Sequence, residues 1–362
     1  MAKTARAVVM RAPGEPLVVE ELPLPEPAPG SAVVRVELMG LCGSDYYVKY
    51  SPEEYAREHE QYERLGGRAP FKTYVIGHEL LGIVEEVGPE LKADVLGRRI
   101  RPGDRIAAHI GNLVLPNPAA PHFVGPAAER IVLSPNALIA KVDPAVHPRA
   151  ALLASCAFRT VFHALDDLGG AIRLGSDIVI QGVGSLGLTS LIAARENGAG
   201  KIIVVDARSD RLELAVEYGA DEVIDLADAP TPEARIERVR ELTDGAGVDI
   251  AFECSGASTA VTEAIRMLRR GGTALLIGKP RVPESIPTGA IVLQGLKVIG
   301  VASSQAPHLA ASVKLLERTH RRYAYEKIVS HTFSLEQANE ACEAARTGRA
   351  IKAALDPWMR RE

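Results

Sequence analysis

Three short stretches carry residues that can do chemistry. GLCGSDYYVKY (residues 40–50) holds Cys42, Ser44 and Asp45; VIGHELLGIVEEVG (residues 75–88) holds His78 and Glu79; and ASCAFRT (residues 154–160) holds Cys156. A thiolate and an imidazole on separate segments can share a metal ion. The helical protease pattern H-E-x-x-H fails at His78, because the position of its second histidine is Gly82. Taken singly, Cys42 and Cys156 read as small buried hydrophobes and His78 as a hydrogen-bonded core histidine. Taken together, two thiolates and one imidazole form a catalytic zinc set: three protein ligands, with a fourth position left open.

A second constellation is GVGSLG, in which Gly182, Gly184 and Gly187 stand in G-x-G-x-x-G order with Ser185 and Leu186 between them. It follows the strand-like DIVIQ and opens the helix-like LGLTSLIAARENG. The first glycine allows a tight turn, the second lets a pyrophosphate approach the backbone, and the third lets helix and strand pack closely. Free N–H groups at the helix start favour phosphate. Asp206 closes the next strand, KIIVVD, nineteen residues after Gly187, where an acidic group bonds the adenosine ribose. A carboxylate there repels a 2′-phosphate, so NAD is expected over NADP; Arg208, just past the strand, is the residue that argues the other way.

The elements that must hold these groups fall into two kinds. ARAVVM, LVVEEL and SAVVRVELMG are short β-branched runs separated by proline and glycine turns, so the first part reads as β-rich. NLVLPNPAAPHFVGPAAERIVL reads as irregular loop, and HPRAALLASCAFRTVFHAL has helical spacing throughout. From Ser176, strands alternate with helices of ten to fifteen residues, the last of them STAVTEAIRMLRRGG followed by the strand TALLIGK. That pattern implies a parallel doubly wound sheet. From about Ser303 the chain reads as helical, with a final strand near AIKAALDP. The fold class is therefore α/β.

Bulk properties narrow the field. At 362 residues the chain is natural for two domains, and 47% apolar residues supply their cores. The net charge of −4, without a basic run, gives no track for nucleic acid. No apolar stretch reaches membrane-spanning length, and MAKTARAVVM lacks the apolar region of a signal peptide. Cytoplasm is the expected compartment. Four cysteines, far apart in a long chain, read as free thiols or metal ligands rather than a disulfide framework.

In their order and spacing, GLCGSD, GHELLGIVEEVG, RPGDRI and GVGSLG resemble the zinc-dependent medium-chain alcohol dehydrogenases over essentially the whole chain. The resemblance implies a GroES-like β-rich catalytic domain, residues 1–158 and 304–362, split around a doubly wound NAD-binding Rossmann domain, residues 159–303. It implies Cys42, His78 and Cys156 as ligands of one catalytic zinc, with Glu79 behind the metal and Asp45 orienting His78. Ser44 matches the hydroxyl that takes the substrate proton, and Thr160 falls where the family touches the nicotinamide. Arg211 and Lys352 match basic contacts to the adenosine ribose and the pyrophosphate. The implied partners are a small alcohol, or an aldehyde or ketone in reverse, and further copies of the chain in a homodimer or homotetramer.

Three departures stand out. Residues 105–130 contain no cysteine, so no structural zinc is expected. Tyr47 stands where relatives often carry a histidine that relays the proton; it either continues that relay or packs against the substrate pocket. The interval from Cys42 to His78 is long for the family, and its extra residues suggest an added helix over 51–67. There Ser51 and Glu54 form a capping box, Pro52 takes the first helical position and Gly66 ends the helix. Two rival functions remain at this level: a zinc-free reductase of activated double bonds on the same fold, and a dinucleotide-binding protein without turnover.

Overall fold

A computed structural model describes residues 3–53, 56, 60, 74–109, 125–169, 172–279 and 284–359. The chain separates into two compact units, residues 1–156 with 305–362, and residues 157–304.

The first segment of the chain supplies β1 (Thr4–Met10), β2 (Val18–Pro23), β3 (Ala32–Gly40), β4 (Tyr74–Val75), β5 (Glu79–Val87), β6 (Arg105–His109), β7 (Arg130–Val132) and β8 (Leu138–Lys141). The predicted loop over 112–133 is corrected in part. Residues 110–124 lie outside the description, but Arg130–Val132 pairs antiparallel with Arg35–Val33 of β3. Three residues between prolines are too short to show a period of two, so this strand is set by its partner rather than by its own pattern.

The second unit supplies β9 (Ile178–Gln181), β10 (Ile202–Asp206), β11 (Glu222–Asp225), β12 (Val248–Glu253), β13 (Leu268–Leu276) and β14 (Lys297–Gly300). They form one all-parallel sheet in the order β11-β10-β9-β12-β13-β14. The strand order turns back on itself at β9 and β12, as in a doubly wound dinucleotide fold. β9 and β10 are buried along almost their whole length, which is why they read as near-continuous apolar runs instead of alternating ones. One boundary departs from the sequence reading. The helix expected through RRGG ends at Met267, and Leu268–Gly272 already belongs to β13. The extra residues are taken up where the β12–β13 register slips between Val248 and Ile250, with Gly271 at φ +75°.

The chain then returns to the first unit with β15 (His331–Phe333) and β16 (Ala353–Leu355). These complete a seven-stranded sheet in the order β15-β16-β3-β5-β6-β8, with β7 also on β3; β2, β1 and β4 form a smaller antiparallel sheet. A core of aliphatic side chains from β1, β3, β5 and β6, joined by Leu335, Ala341 and Leu355 from the returning segment, makes the first unit one body. Trp358 fastens its end. The indole Nε1 donates to Val36 O at 2.7 Å, and the guanidinium groups of Arg35 and Arg130 lie 5.7 and 5.3 Å from the ring centroid. Of the helix expected over 51–67, Pro52, Glu53, Ala56 and Glu60 are helical, and the other residues after Glu53, including Glu54 and Gly66, lie outside the description. Among the described residues no helix is long and apolar enough to cross a membrane.

Candidate metal centre and dinucleotide loop

β3 delivers the first donor. Beyond Gly40 the chain turns, and Cys42 caps the helix Gly43–Tyr50 in an extended conformation (φ −99°, ψ 160°). Asp45, in the first turn, ties this corner together. Its Oδ2 accepts from the Cys42 backbone N–H at 2.8 Å, and its Oδ1 sits 2.8 Å from His78 Nδ1. With Nδ1 committed, His78 offers Nε2 to whatever lies in front of it.

Glu79 follows as the first residue of β5, opposite Gly40 of β3 and His109 of β6. Its side chain is fully buried, and its Oε1 pairs with Lys352 Nζ at 2.7 Å. A Cβ at position 40 would lie 2.2 Å from Glu79 Oε2 and 3.0 Å from Lys352 Cε, so only glycine lets the ion pair lie against β3.

The helical spacing around Cys156 predicts one helix, and the structure interrupts it. A helix over Pro148–Leu152 gives way to a 3-10 turn, Leu153–Ser155, whose Ser155 Oγ donates to Leu152 O at 2.7 Å. Cys156 then takes φ −143° and ψ −64°, and a new helix, Ala157–Asp167, begins after it. The break aims the thiol at Cys42 instead of along a helix face.

The result is a cluster in which one donor atom each from Cys42, His78, Glu79 and Cys156 lies within 4.8 Å of all the others. It is the one such group of three or more His, Cys, Asp or Glu donors among the described residues. The sulfurs of Cys42 and Cys156 interact through a hydrogen bond. That bond, helped by His78 and Lys352, holds the Cys42 thiol well below its usual range against the effect of burial. The same bond, with burial, pushes Cys156 well up. Burial works against a charge on His78, but Asp45 and Cys42 outweigh it and push its pKa up. Burial raises Glu79, and Lys352 pulls it back. Thiol and imidazole groups coupled in this way are what thiolate metal ligands require, because each must give up its proton to bind a cation. Two sulfurs and one imidazole within tetrahedral reach suit zinc. The second Glu79 oxygen, Oε2, is buried without a hydrogen-bond partner and adds a further donor.

The glycine loop joins β9 to the helix Ser185–Glu196. Gly182 is at φ +83°. A Cβ on Gly187 would meet Gly182 O at 1.9 Å, whereas one on Gly184 would meet nothing within 4 Å. Position 184 therefore faces open space at a helix start, the cradle a pyrophosphate needs. The Asp206 carboxylate braces the loop: Oδ2 accepts from Val183 N–H at 2.6 Å and Oδ1 from Arg208 N–H at 2.9 Å.

Ser44 is exposed and Tyr47 half-buried on the helix Gly43–Tyr50. In the second unit, Thr160 is half-buried on Ala157–Asp167, and Arg211 half-buried on the helix Ser209–Glu217. Lys352 is held at Glu79, on the metal side. That pairing, across 273 residues of chain, is a feature that sequence reasoning missed. Gly40 directly before LCGSD was its only trace in the sequence.

Comparison with known proteins agrees with this architecture. Residues 28–140 match the family model described as the alcohol dehydrogenase GroES-like domain, and residues 185–318 match the zinc-binding dehydrogenase model. A 5-exo-hydroxycamphor dehydrogenase of Pseudomonas putida is 28% identical over 360 residues, spanning 94% of this chain and 95% of its own. The sorbitol dehydrogenase of Bos taurus is 27% identical over 370 residues, spanning 96% and 94%. Among solved structures, an alcohol dehydrogenase from Thermotoga maritima superposes with a TM-score of 0.83 at 28% identity, covering 98% of this chain and 99% of that one. The chain belongs to the zinc-dependent medium-chain dehydrogenase family and is an oxidoreductase of that kind.

Proposed function

We propose that the chain is an NAD-dependent zinc alcohol dehydrogenase that moves a hydride between an alcohol carbon and the nicotinamide, with an aldehyde or ketone as the other partner. The observation that carries this reading is the donor cluster of Cys42, His78 and Cys156, with His78 oriented by Asp45. When bound, zinc supplies a Lewis acid that lowers the pKa of a substrate hydroxyl, and NAD supplies the hydride acceptor.

In this reading Cys42, His78 and Cys156 hold one catalytic zinc, and Glu79 stands behind it with one oxygen unpaired. Ser44 Oγ takes the substrate proton, and Tyr47, one helical turn on, continues the path toward solvent. Thr160 contacts the nicotinamide. Gly182, Gly184, Ser185, Leu186 and Gly187 hold the pyrophosphate, while Asp206 and Arg211 hold the adenosine ribose. Lys352, matched by family resemblance to a pyrophosphate contact, serves as the counter-ion of Glu79.

Secondary alcohols head the substrate panel, because hydroxycamphor and sorbitol name two of the relatives. None of the four cysteines is in a disulfide, in keeping with a reducing cytoplasm. The proposed assembly is a homodimer, or a tetramer built from it. β14 is the last strand of its sheet, and the helix before it, Thr288–Gln294, leaves Val292 and Leu293 79% and 81% exposed. Pairing that edge with its copy satisfies backbone groups and covers the apolar pair.

One experiment decides among the functions: zinc per chain, measured together with NADH formation on an alcohol panel. The reading expects one zinc and alcohol-dependent NADH. Activity on an activated double bond without zinc would select the reductase. Tight NADH binding with no turnover on any alcohol or carbonyl compound would select the non-catalytic binder.

A further inference from the structure

The strand ends that would receive the adenosine ribose are unusually acidic. Asp206 closes β10, and Asp225 stands opposite it in the parallel register of β11. Asp225 is spent on its own loop: Oδ1 accepts from Ala227 N–H at 2.8 Å and Oδ2 from Ser209 Oγ at 2.9 Å. Each Asp206 oxygen accepts one backbone N–H, which leaves a lone pair on each for a ribose hydroxyl. A third carboxylate, Asp210, lies in the first turn of the helix Ser209–Glu217, where the helix dipole favours a negative charge.

Arg208, whose backbone N–H is bound by Asp206, is a cation that a 2′-phosphate could use. Its guanidinium is already taken. Nε donates to Asp210 Oδ1 at 3.1 Å and Nη2 to Asp210 Oδ2 at 3.2 Å, a two-point fork on a neighbour two residues away. The pairing holds the Asp210 carboxyl below its usual range. To bind a 2′-phosphate through this arginine, the protein must first open the fork and leave a third carboxylate uncovered beside the incoming dianion. A ribose with free hydroxyls demands neither.

We propose that Asp210 is a second determinant of cofactor choice, a positioning residue that withholds the Arg208 guanidinium from a 2′-phosphate. The proposal rests on the NAD reading and refines it: Asp206 accepts the hydroxyls and repels the phosphate, and Asp210 withholds one of the cations that would compensate. Both partners are about half exposed, at 46% and 61% of their side chains, so the effect is modest and sensitive to salt.

The test is a double-mutant cycle in the full chain with Asp210→Asn, Arg208→Ala and the pair combined. Two quantities are read: the ratio of kcat/KM for NADP to that for NAD, and the Kd of adenosine 2′,5′-bisphosphate relative to AMP. The second needs no turnover and no metal. Asp210→Asn is expected to raise both preferences for the 2′-phosphate about two- to five-fold, the range of an exposed ion pair. In the Arg208→Ala background the same change is expected to add nothing. An unchanged preference in Asp210→Asn overturns the proposal. So does an equal gain with and without Arg208, since Asp210 would then act by its own charge. Failure of the NAD reading shows separately, as a parent protein that prefers NADP, while the cycle still reports whether Asp210 acts through Arg208.

Discussion

At the scale of single residues, the Glu79–Lys352 pair is the most exposed to test. Both side chains are at least 96% buried, and each is the other's charge partner. Burial opposes the charge on Lys352, but Glu79 and the two thiols outweigh it and push its pKa up. Removing one member leaves a buried charge uncompensated, at a cost of about 3–5 kcal/mol. Lys352→Met is therefore expected to lose roughly that much in urea unfolding, and Glu79→Gln to lose a comparable amount. The double variant is expected to recover most of it, because a neutral amide beside a thioether leaves no orphaned charge. Losses that simply add would mean that the pair is not the unit described here.

At the scale of elements, the glycine loop separates folding from binding within six residues. Gly187→Ala drives a methyl into Gly182 O and is expected to lower Tm. Gly184→Ala adds a methyl to open space, so Tm is expected to hold while NADH affinity falls at least ten-fold. Equal affinity in that variant would move the pyrophosphate elsewhere. This loop was fully legible in the sequence, because local rules write it: a strand, three glycines with distinct steric duties, a helix and an acid at the next strand end. The donor set was legible as residue types, and Asp45 as the partner of His78 by family resemblance. The geometry that gathers the donors was not. Helical periodicity runs straight through Cys156, and the break there depends on a 3-10 turn closed by Ser155. β7 is fixed by β3 and not by its own three residues. The start of β13 is set by a slip against β12. The misses at β7 and β13 lie where a partner strand overrides a local pattern, and the one at Cys156 where a short local turn interrupts a helical period.

For the whole molecule, the donor cluster lies in one unit and the glycine loop in the other. The proposed assembly turns on the second unit's edge. Val292→Asp with Leu293→Asp is expected to convert the proposed dimer to a monomer in sedimentation at micromolar concentration, because two charges would be buried against their own copies. The substitutions lie on a helix with no buried residue, so the fold of each chain is expected to survive. A parent protein that sediments as a monomer at that concentration would rule the assembly out before any variant is made.

Trp358 has an optical consequence. It is the only tryptophan in 362 residues, and it is fixed to β3 of the unit that holds the donor cluster by one hydrogen bond and two guanidinium groups. Excitation at the red edge of the protein spectrum therefore reads that unit and is silent about its neighbour. Chelation is expected to shift the fluorescence-detected unfolding midpoint downward. AMP, which lacks the nicotinamide, is expected to shift the midpoint seen by circular dichroism more than the one seen by emission. The chain thus carries a built-in reporter that distinguishes melting around the metal from melting around the nucleotide, with no label attached.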